Sequence, residues 1–250
     1  MFLNVGEISF INSIPLKLCA ERFPFARKTY SLAPSKLNNM CRAGALDVSA
    51  VSFFAYGDIE KSYARLPNFC IATDGEVKSI ELFSNFEFEE LRGKKVFASS
   101  FSENSIAALS AISKFKFGFD VFENRADSVE DAGAALMIGD LAMTYSSKFA
   151  FKYDVGTLWR EAFNVPLICS CIAVKREIYN EVKGEIFAYY ENSLSEFEKN
   201  IGHYCGLAAV ALGKPDFSAE DAKRYYSGLK YRMDEIAFKK TRDILDGKFA

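Results

Sequence analysis

The sequence predicts an α/β fold of one or two units, and three observations carry this prediction. In the segment 7–16, apolar residues alternate with polar ones as in a strand, and Pro15 then suits the first turn of a helix that Ser13 would cap. The segments 46–56 and 134–145 repeat this order of strand, turn and helix. Half of the 250 residues are hydrophobic, which is enough for a large core.

Charge and hydropathy argue against two classes of partner. The 33 acidic and 31 basic residues leave a net charge of −2, whereas nucleic acid and anionic membranes attract strongly basic surfaces. No uncharged run approaches the length of a membrane span. The first residues lack the basic start, apolar core and cleavage site of a signal peptide. We therefore expect a cytoplasmic protein with a small-molecule partner, in an oligomeric state that the sequence leaves open.

Metal binding is not indicated by the cysteines and histidine. The six cysteines form no C-x-x-C pair, and His203 is the only histidine, so no zinc-ligand spacing exists. No nucleotide-binding motif is present either. We expect free, mostly buried thiols, no metal and no cofactor.

Polar side chains stand at the ends of two predicted strands. Asn12 follows the first strand, at the sheet edge where open parallel sheets bind ligands, and its amide offers both a donor and an acceptor. Alternatively, Asn12 merely tolerates the turn conformation. Ser52 follows the strand 46–50 and is either a ligand contact or a helix cap.

Ser79 lies in a predicted strand over 77–83, which follows the strand at 71–72 after a turn at Asp74. Two strands in direct succession suggest that the chain leaves one lobe and enters another. A surface serine there would be unremarkable, but a buried one needs a hydrogen-bond partner.

The segment 99–105, SSFSENS, leads into a helix predicted over 106–116. Its serines and Asn104 can present hydroxyls and backbone N–H groups to an anion, and helix capping alone explains only one of the serines. Glu103 opposes an anion unless it points away. Further strands are predicted at 120–122 and 166–174, and a short helix at 128–132.

The whole chain resembles the chorismate dehydratase family, which acts in the futalosine route of menaquinone biosynthesis. The resemblance rests on the order and spacing of several motifs, namely ISFINSIPL (8–16), PSKLNNMCRAGALDVSAVS (34–52), the G-x-V-x-S of residues 75–79, SFSENS (100–105), ALMIGD (135–140) and DVGTLWREAFNVPL (154–167). It implies a two-lobed fold like the type 2 periplasmic binding proteins, with a cleft between the lobes. One lobe would hold residues 1–85 plus 176–250, and the other residues 86–175.

The resemblance also implies a reaction and site residues. The family removes water from chorismate to give 3-[(1-carboxyvinyl)oxy]benzoate. The asparagine and serine that matter for catalysis in the family fall here on Asn12 and Ser79, with Ser84 as an alternative to Ser79. The other polar side chains expected at the cleft, as substrate contacts, are Ser52, Ser102, Asn104, Ser105 and Asp140.

The sequence differs from the usual family pattern at two places, and two other functions are considered beside the family's reaction. Asn104 replaces a threonine that is usual in the family, and the stretch after Pro166 lacks an aromatic run. A sister family with the same fold makes 1,4-dihydroxy-6-naphthoate, but its catalytic histidine would stand at Gly139. A binding protein without chemistry is the other rival.

Overall fold

The structure, a computed structural model, describes residues 1–99, 101 and 103–248. Its strands are, in chain order, β1 (Phe2–Ile8), β2 (Ala26–Leu32), β3 (Val48–Ser52), β4 (Tyr63–Thr73), β5 (Ile80–Ser84), β6 (Val96–Ala98), β7 (Ala134–Ile138), β8 (Phe151–Asp154), β9 (Leu167–Lys175) and β10 (Leu229–Arg232). Its α-helices are α1 (Pro34–Arg42), α2 (Phe53–Ile59), α3 (Glu103–Phe117), α4 (Gly139–Thr144), α5 (Val155–Phe163), α6 (Arg176–Lys199), α7 (Ile201–Leu212), α8 (Ala219–Gly228) and α9 (Glu235–Leu245). Short 3₁₀ helices span Ile11–Leu16, Ala20–Arg22 and Phe88–Leu91.

The strands form two sheets, each with its own hydrophobic core. The first sheet has the order β10-β4-β9-β3-β1-β2, and the second has the order β6-β7-β5-β8. Only β1 with its two neighbours, and β6 with β7, pair in parallel among the described strands. The core of the second sheet also takes in side chains of α7 and α8. The α/β prediction is thus confirmed, with two units.

The chain crosses between the sheets earlier than the expected lobe boundaries at 85/86 and 175/176. β5 pairs with β7 and β8, so it belongs to the second sheet, and β9 pairs with β3 and β4 of the first. The crossing segments are therefore 74–79 and 164–166. The boundaries shift because strand pairing, which is long-range, decides to which sheet a strand belongs. Ser79 consequently lies at the end of a crossing segment.

Two short elements predicted between α3 and β7 are wrong. In residues 120–122, predicted as a strand, the Asp120 carboxylate accepts a hydrogen bond from Phe122 N at 3.0 Å and holds a turn. In residues 128–132, predicted as a helix, the Ser128 hydroxyl accepts a hydrogen bond from Asp131 N at 3.3 Å. Such local bonds from side chain to backbone compete with regular structure.

Within the residues described, no helix combines the length and the apolar character that crossing a membrane requires.

Candidate functional site

A cavity of about 570 Å³, including its open mouth, lies between the two sheets. Ile8 and Ile71 line it from the first sheet, and Ile80 and Ile138 from the second. The polar side chains in its lining are Asn12, Ser52, Ser79, Asn104, Ser105 and Ser170. Most of the predicted site residues are therefore brought together. Ser102 lies outside the described residues.

The lining carries no charge among the described residues. Any ligand is therefore held there by hydroxyls, amides, backbone groups and apolar contact. Nor do the described residues place three His, Cys, Asp or Glu side chains where they could hold a metal ion.

Asn12 lies in the 3₁₀ helix that follows β1. The helix begins at Ile11 and not at Pro15, and Ser13 does not cap it: the Ser13 hydroxyl donates to the backbone oxygen of Ile8 at 2.5 Å. Asn12 Oδ1 is buried and has no hydrogen-bond partner among the described residues. A buried polar atom without a partner costs about 1–3 kcal/mol, so Asn12 offers an unused acceptor in the cavity lining.

Ser79 is only 2% exposed, and its hydroxyl has the partner that burial demands. Tyr225 donates a hydrogen bond to Ser79 Oγ at 2.9 Å. The Ser79 backbone oxygen accepts from Gly139 N at 2.8 Å, which joins the crossing segment to the start of α4. Just before it, the backbone of Lys78 has a positive φ of 59°, and its N–H donates to the Asp154 carboxylate at 2.7 Å. The position of Ser79 is therefore fixed from both sides.

Ser84, the alternative to Ser79, lies at the far end of β5 and outside the cavity lining. Its hydroxyl donates to the backbone oxygen of Phe86 at 2.7 Å and accepts from Phe86 N at 2.9 Å, so it closes a turn.

Ser52 serves as a helix cap and also lines the cavity. Its Oγ accepts from Ala55 N at 3.4 Å at the start of α2, and from Asn38 Nδ2 at 2.9 Å. The Asn38 amide oxygen accepts from Ser52 N at 3.0 Å, so the two residues are tied together twice. The two interpretations of Ser52 from the sequence are compatible.

The start of α3 is bound to the other lobe. Glu103 pairs with Arg42 at 2.6 Å, so its carboxylate is neutralised by a residue of α1. Asn104 Oδ1 accepts from Phe54 N at 2.8 Å, and its Nδ2 donates to the backbone oxygen of Ile168 at 3.3 Å. Asn104 has protein partners for both ends of its amide, whereas Asn12 Oδ1 has none among the described residues.

Asp140 stands in the first turn of α4 and holds the loop that carries Asn12. Its carboxylate accepts from Ile11 N at 3.1 Å. Burial raises the pKa of the Asp140 carboxyl, while the bond from Ile11 and the charge of Lys17 oppose this shift. Asp140, predicted as a substrate contact, does not itself line the cavity, whereas its neighbour Gly139 does.

Gly139 has no room for a side chain. Its φ is +61°, and a Cβ atom there would lie 2.6 Å from the ring of Phe10. The backbone therefore needs glycine at this position, for both conformation and space.

Tyrosines from the C-terminal segment complete the site, and the sequence did not indicate them. Besides Tyr225, Tyr226 donates to the backbone oxygen of Ile11 and Tyr231 to that of Asn12, each at 2.8 Å. Aromatic residues in an amphipathic helix predict core packing, and nothing local shows where their hydroxyls point.

Comparisons with known proteins agree with this architecture. The model of a protein family described as menaquinone biosynthesis matches residues 3–245. The chain belongs to this family. A curated relative, the chorismate dehydratase of Thermus thermophilus, is 26% identical over 164 residues. That match covers 58% of this chain and 60% of the Thermus protein. The resemblance inferred from the motifs is thus confirmed.

Solved structures show the fold. Protein AF1704 of Archaeoglobus fulgidus superposes with a TM-score of 0.77 at 19% identity, over 99% of this chain and 97% of that one. The alkanesulfonate-binding protein SsuA of Xanthomonas axonopodis, bound to MOPS, gives 0.69 at 12% identity over 99% and 93%. A Candida albicans protein described as having the generic periplasmic binding protein fold gives 0.72 at 14% identity, over 99% and 90%. The protein therefore has the periplasmic-binding-protein fold.

Proposed function

We propose that this protein is a cytoplasmic chorismate dehydratase, a hydro-lyase that converts chorismate to 3-[(1-carboxyvinyl)oxy]benzoate and water in the futalosine route. One observation carries the proposal: Asn12 and Ser79, the positions that the family resemblance assigns to catalysis, line one cavity between the sheets. Family membership and the Thermus thermophilus relative support it.

The uncharged lining fits a particular way of holding a dicarboxylate. Chorismate carries two carboxylates, and the described lining residues include no charged side chain that could pair with them. Hydroxyls, amides and the N–H groups at the start of α3 are the donors that remain, and the positive end of that helix favours an anion. Ser52 and Ser105 supply hydroxyls near these groups.

Aromatisation of the ring supplies the thermodynamic drive. One ring C–H bond and the C–O bond of the ring hydroxyl break, and the proton and hydroxyl leave as water. As the C–H bond breaks, negative charge spreads through the ring into the ring carboxylate. We assign the stabilisation of this charge to the side-chain N–H groups of Asn12 and the hydroxyl of Ser79 as a pair, at about 3 kcal/mol for each fixed donor. The buried position of Ser79 strengthens such a bond, because little water competes with it.

The proton acceptor is the substrate itself in this account. His203 is exposed on α7, and the Asp140 carboxylate is engaged with the backbone of Ile11. The enolpyruvyl carboxylate of chorismate hangs from the ring carbon that loses the proton. It takes the proton, and the protein only positions it.

Incubation of the purified protein with chorismate, without added cofactor, tests the proposal. Chromatography should show the carboxyvinyloxy benzoate, with and without a chelator. Chorismate that is bound but recovered unchanged would indicate a binding protein. Cyclic dehypoxanthinylfutalosine is the control substrate, and its conversion to 1,4-dihydroxy-6-naphthoate would indicate the sister activity. We expect no such conversion, because Gly139 leaves no room for the histidine of that family.

A further inference from the structure

We propose that Tyr225 is a positioning residue of this reaction, which holds the hydroxyl of Ser79 in place at the cavity wall. The inference rests on the proposed function and adds a residue to it.

One buried hydrogen bond carries the inference. The hydroxyl of Tyr225 lies 2.9 Å from Ser79 Oγ, and both residues are 2% exposed. A serine hydroxyl without such a partner can rotate between several positions. Because Tyr225 holds Oγ and Ser79 lines the cavity, the hydroxyl of Ser79 is kept where it can contact a ligand.

Tyr225 also polarises the hydroxyl of Ser79. In a chain of hydroxyls, each hydrogen bond strengthens its neighbours, so the bond with Tyr225 strengthens a bond from Ser79 to a substrate oxygen. Burial raises the pKa of the Tyr225 hydroxyl, and its hydrogen bonds with Ser79 and Asn12 oppose this shift.

Tyr226, the next residue of α8, provides a matched comparison. It is 4% exposed, and its hydroxyl also gives one hydrogen bond, at 2.8 Å. Its acceptor is the backbone oxygen of Ile11, however, and not Ser79. Replacing either tyrosine by phenylalanine removes one buried hydroxyl and keeps the ring.

The experiment is a double-mutant cycle on chorismate turnover. The variants are Tyr225→Phe, Ser79→Ala and the two together, with Tyr226→Phe alone and with Ser79→Ala as the control pair. Product is quantified by chromatography after long incubations, so that the slow variants are measurable. Thermal unfolding verifies that both phenylalanine variants are folded.

We expect Tyr225→Phe to lower kcat about five- to tenfold, as the loss of one neutral hydrogen bond does, with KM changed less than about twofold. In the Ser79→Ala background it should have no further effect, whereas Tyr226→Phe should multiply with Ser79→Ala. A Tyr225→Phe variant with wild-type kcat overturns the inference, and so does an equal loss of kcat in the presence and absence of Ser79. A wild-type protein that leaves chorismate unchanged overturns the proposed function before any variant is compared, and the inference with it.

Discussion

Two asparagines on opposite sides of the cavity differ in what their amides contact. Asn12 follows a strand of the first sheet, and its Oδ1 is buried with no partner among the described residues. Asn104 begins α3, and its amide bonds Phe54 N and the backbone oxygen of Ile168. Both residues line the cavity. The difference teaches that a polar side chain at a helix start is available to a ligand only if its hydrogen-bonding atoms are not already bonded to other residues of the protein.

The same difference holds for the surroundings of the two residues. The loop of Asn12 is held by tyrosine hydroxyls that bond the backbone oxygens of Ile11 and Asn12, while Asn12 Oδ1 has no partner among the described residues. The start of α3 is instead tied across the cleft, since Glu103 pairs with Arg42. The Arg42 side chain is 32% exposed, so this ion pair contributes only about 0–1 kcal/mol to stability. We propose that the side of the cavity with Asn12 and Ser79 is the catalytic wall and that the start of α3 serves to bind the substrate.

The largest expected effect is on the catalytic wall. Asn12→Ala and Ser79→Ala should each lower kcat by about two orders of magnitude, because each removes a group aimed at charge that develops in the transition state. Steady-state kinetics with chorismate measures this. Ser84→Ala is the matched control and should keep full activity, because its hydroxyl only closes a turn. If Ser84→Ala is impaired and Ser79→Ala is not, the wrong serine has been assigned.

A smaller effect, of a different kind, is expected at α3. Asn104→Ala should raise KM by about tenfold and change kcat little, because it breaks the two hydrogen bonds that hold the start of α3. A change that weakens the bound and transition states equally appears mainly in KM. Arg42→Ala, which removes a cross-cleft ion pair without touching the cavity, is the matched variant and should raise KM in the same direction. A fall in kcat larger than the rise in KM for Asn104→Ala would place a catalytic donor on α3 and remove the contrast with Asn12.

Local pattern predicted much of the site, and long-range contact accounts for what it missed. Asn12, Ser52 and Ser105 were found because a strand followed by a helix start leaves its mark within about ten residues of sequence. The hydroxyl of Tyr225 meets Ser79 across 146 residues of chain, which no periodicity reports. Strand β10, short and placed between helices, was missed for the same reason, since its pairing partner β4 lies far back in the chain.

The smallest expected effect concerns Asp140, whose carboxylate lies behind the catalytic wall. In Asp140→Asn the amide oxygen can still accept from Ile11 N, so the Asn12 loop should hold its place and kcat should stay within about threefold of wild type.

The pH dependence of stability tests the raised pKa of Asp140, and the turnover of the same variant tests whether Asp140 is a catalytic base. Burial raises the pKa of this carboxyl in the folded state above its ordinary value of 3.8, so the folded protein holds the proton more tightly than the unfolded chain. Its contribution to stability is complete below that value and is lost as the pH rises through the raised pKa. Asp140→Asn does not titrate, so its unfolding temperature relative to wild type should increase from acidic to neutral pH. If the variant instead binds chorismate normally and has no turnover at any pH, the proton acceptor is Asp140 and not the carboxylate of the substrate.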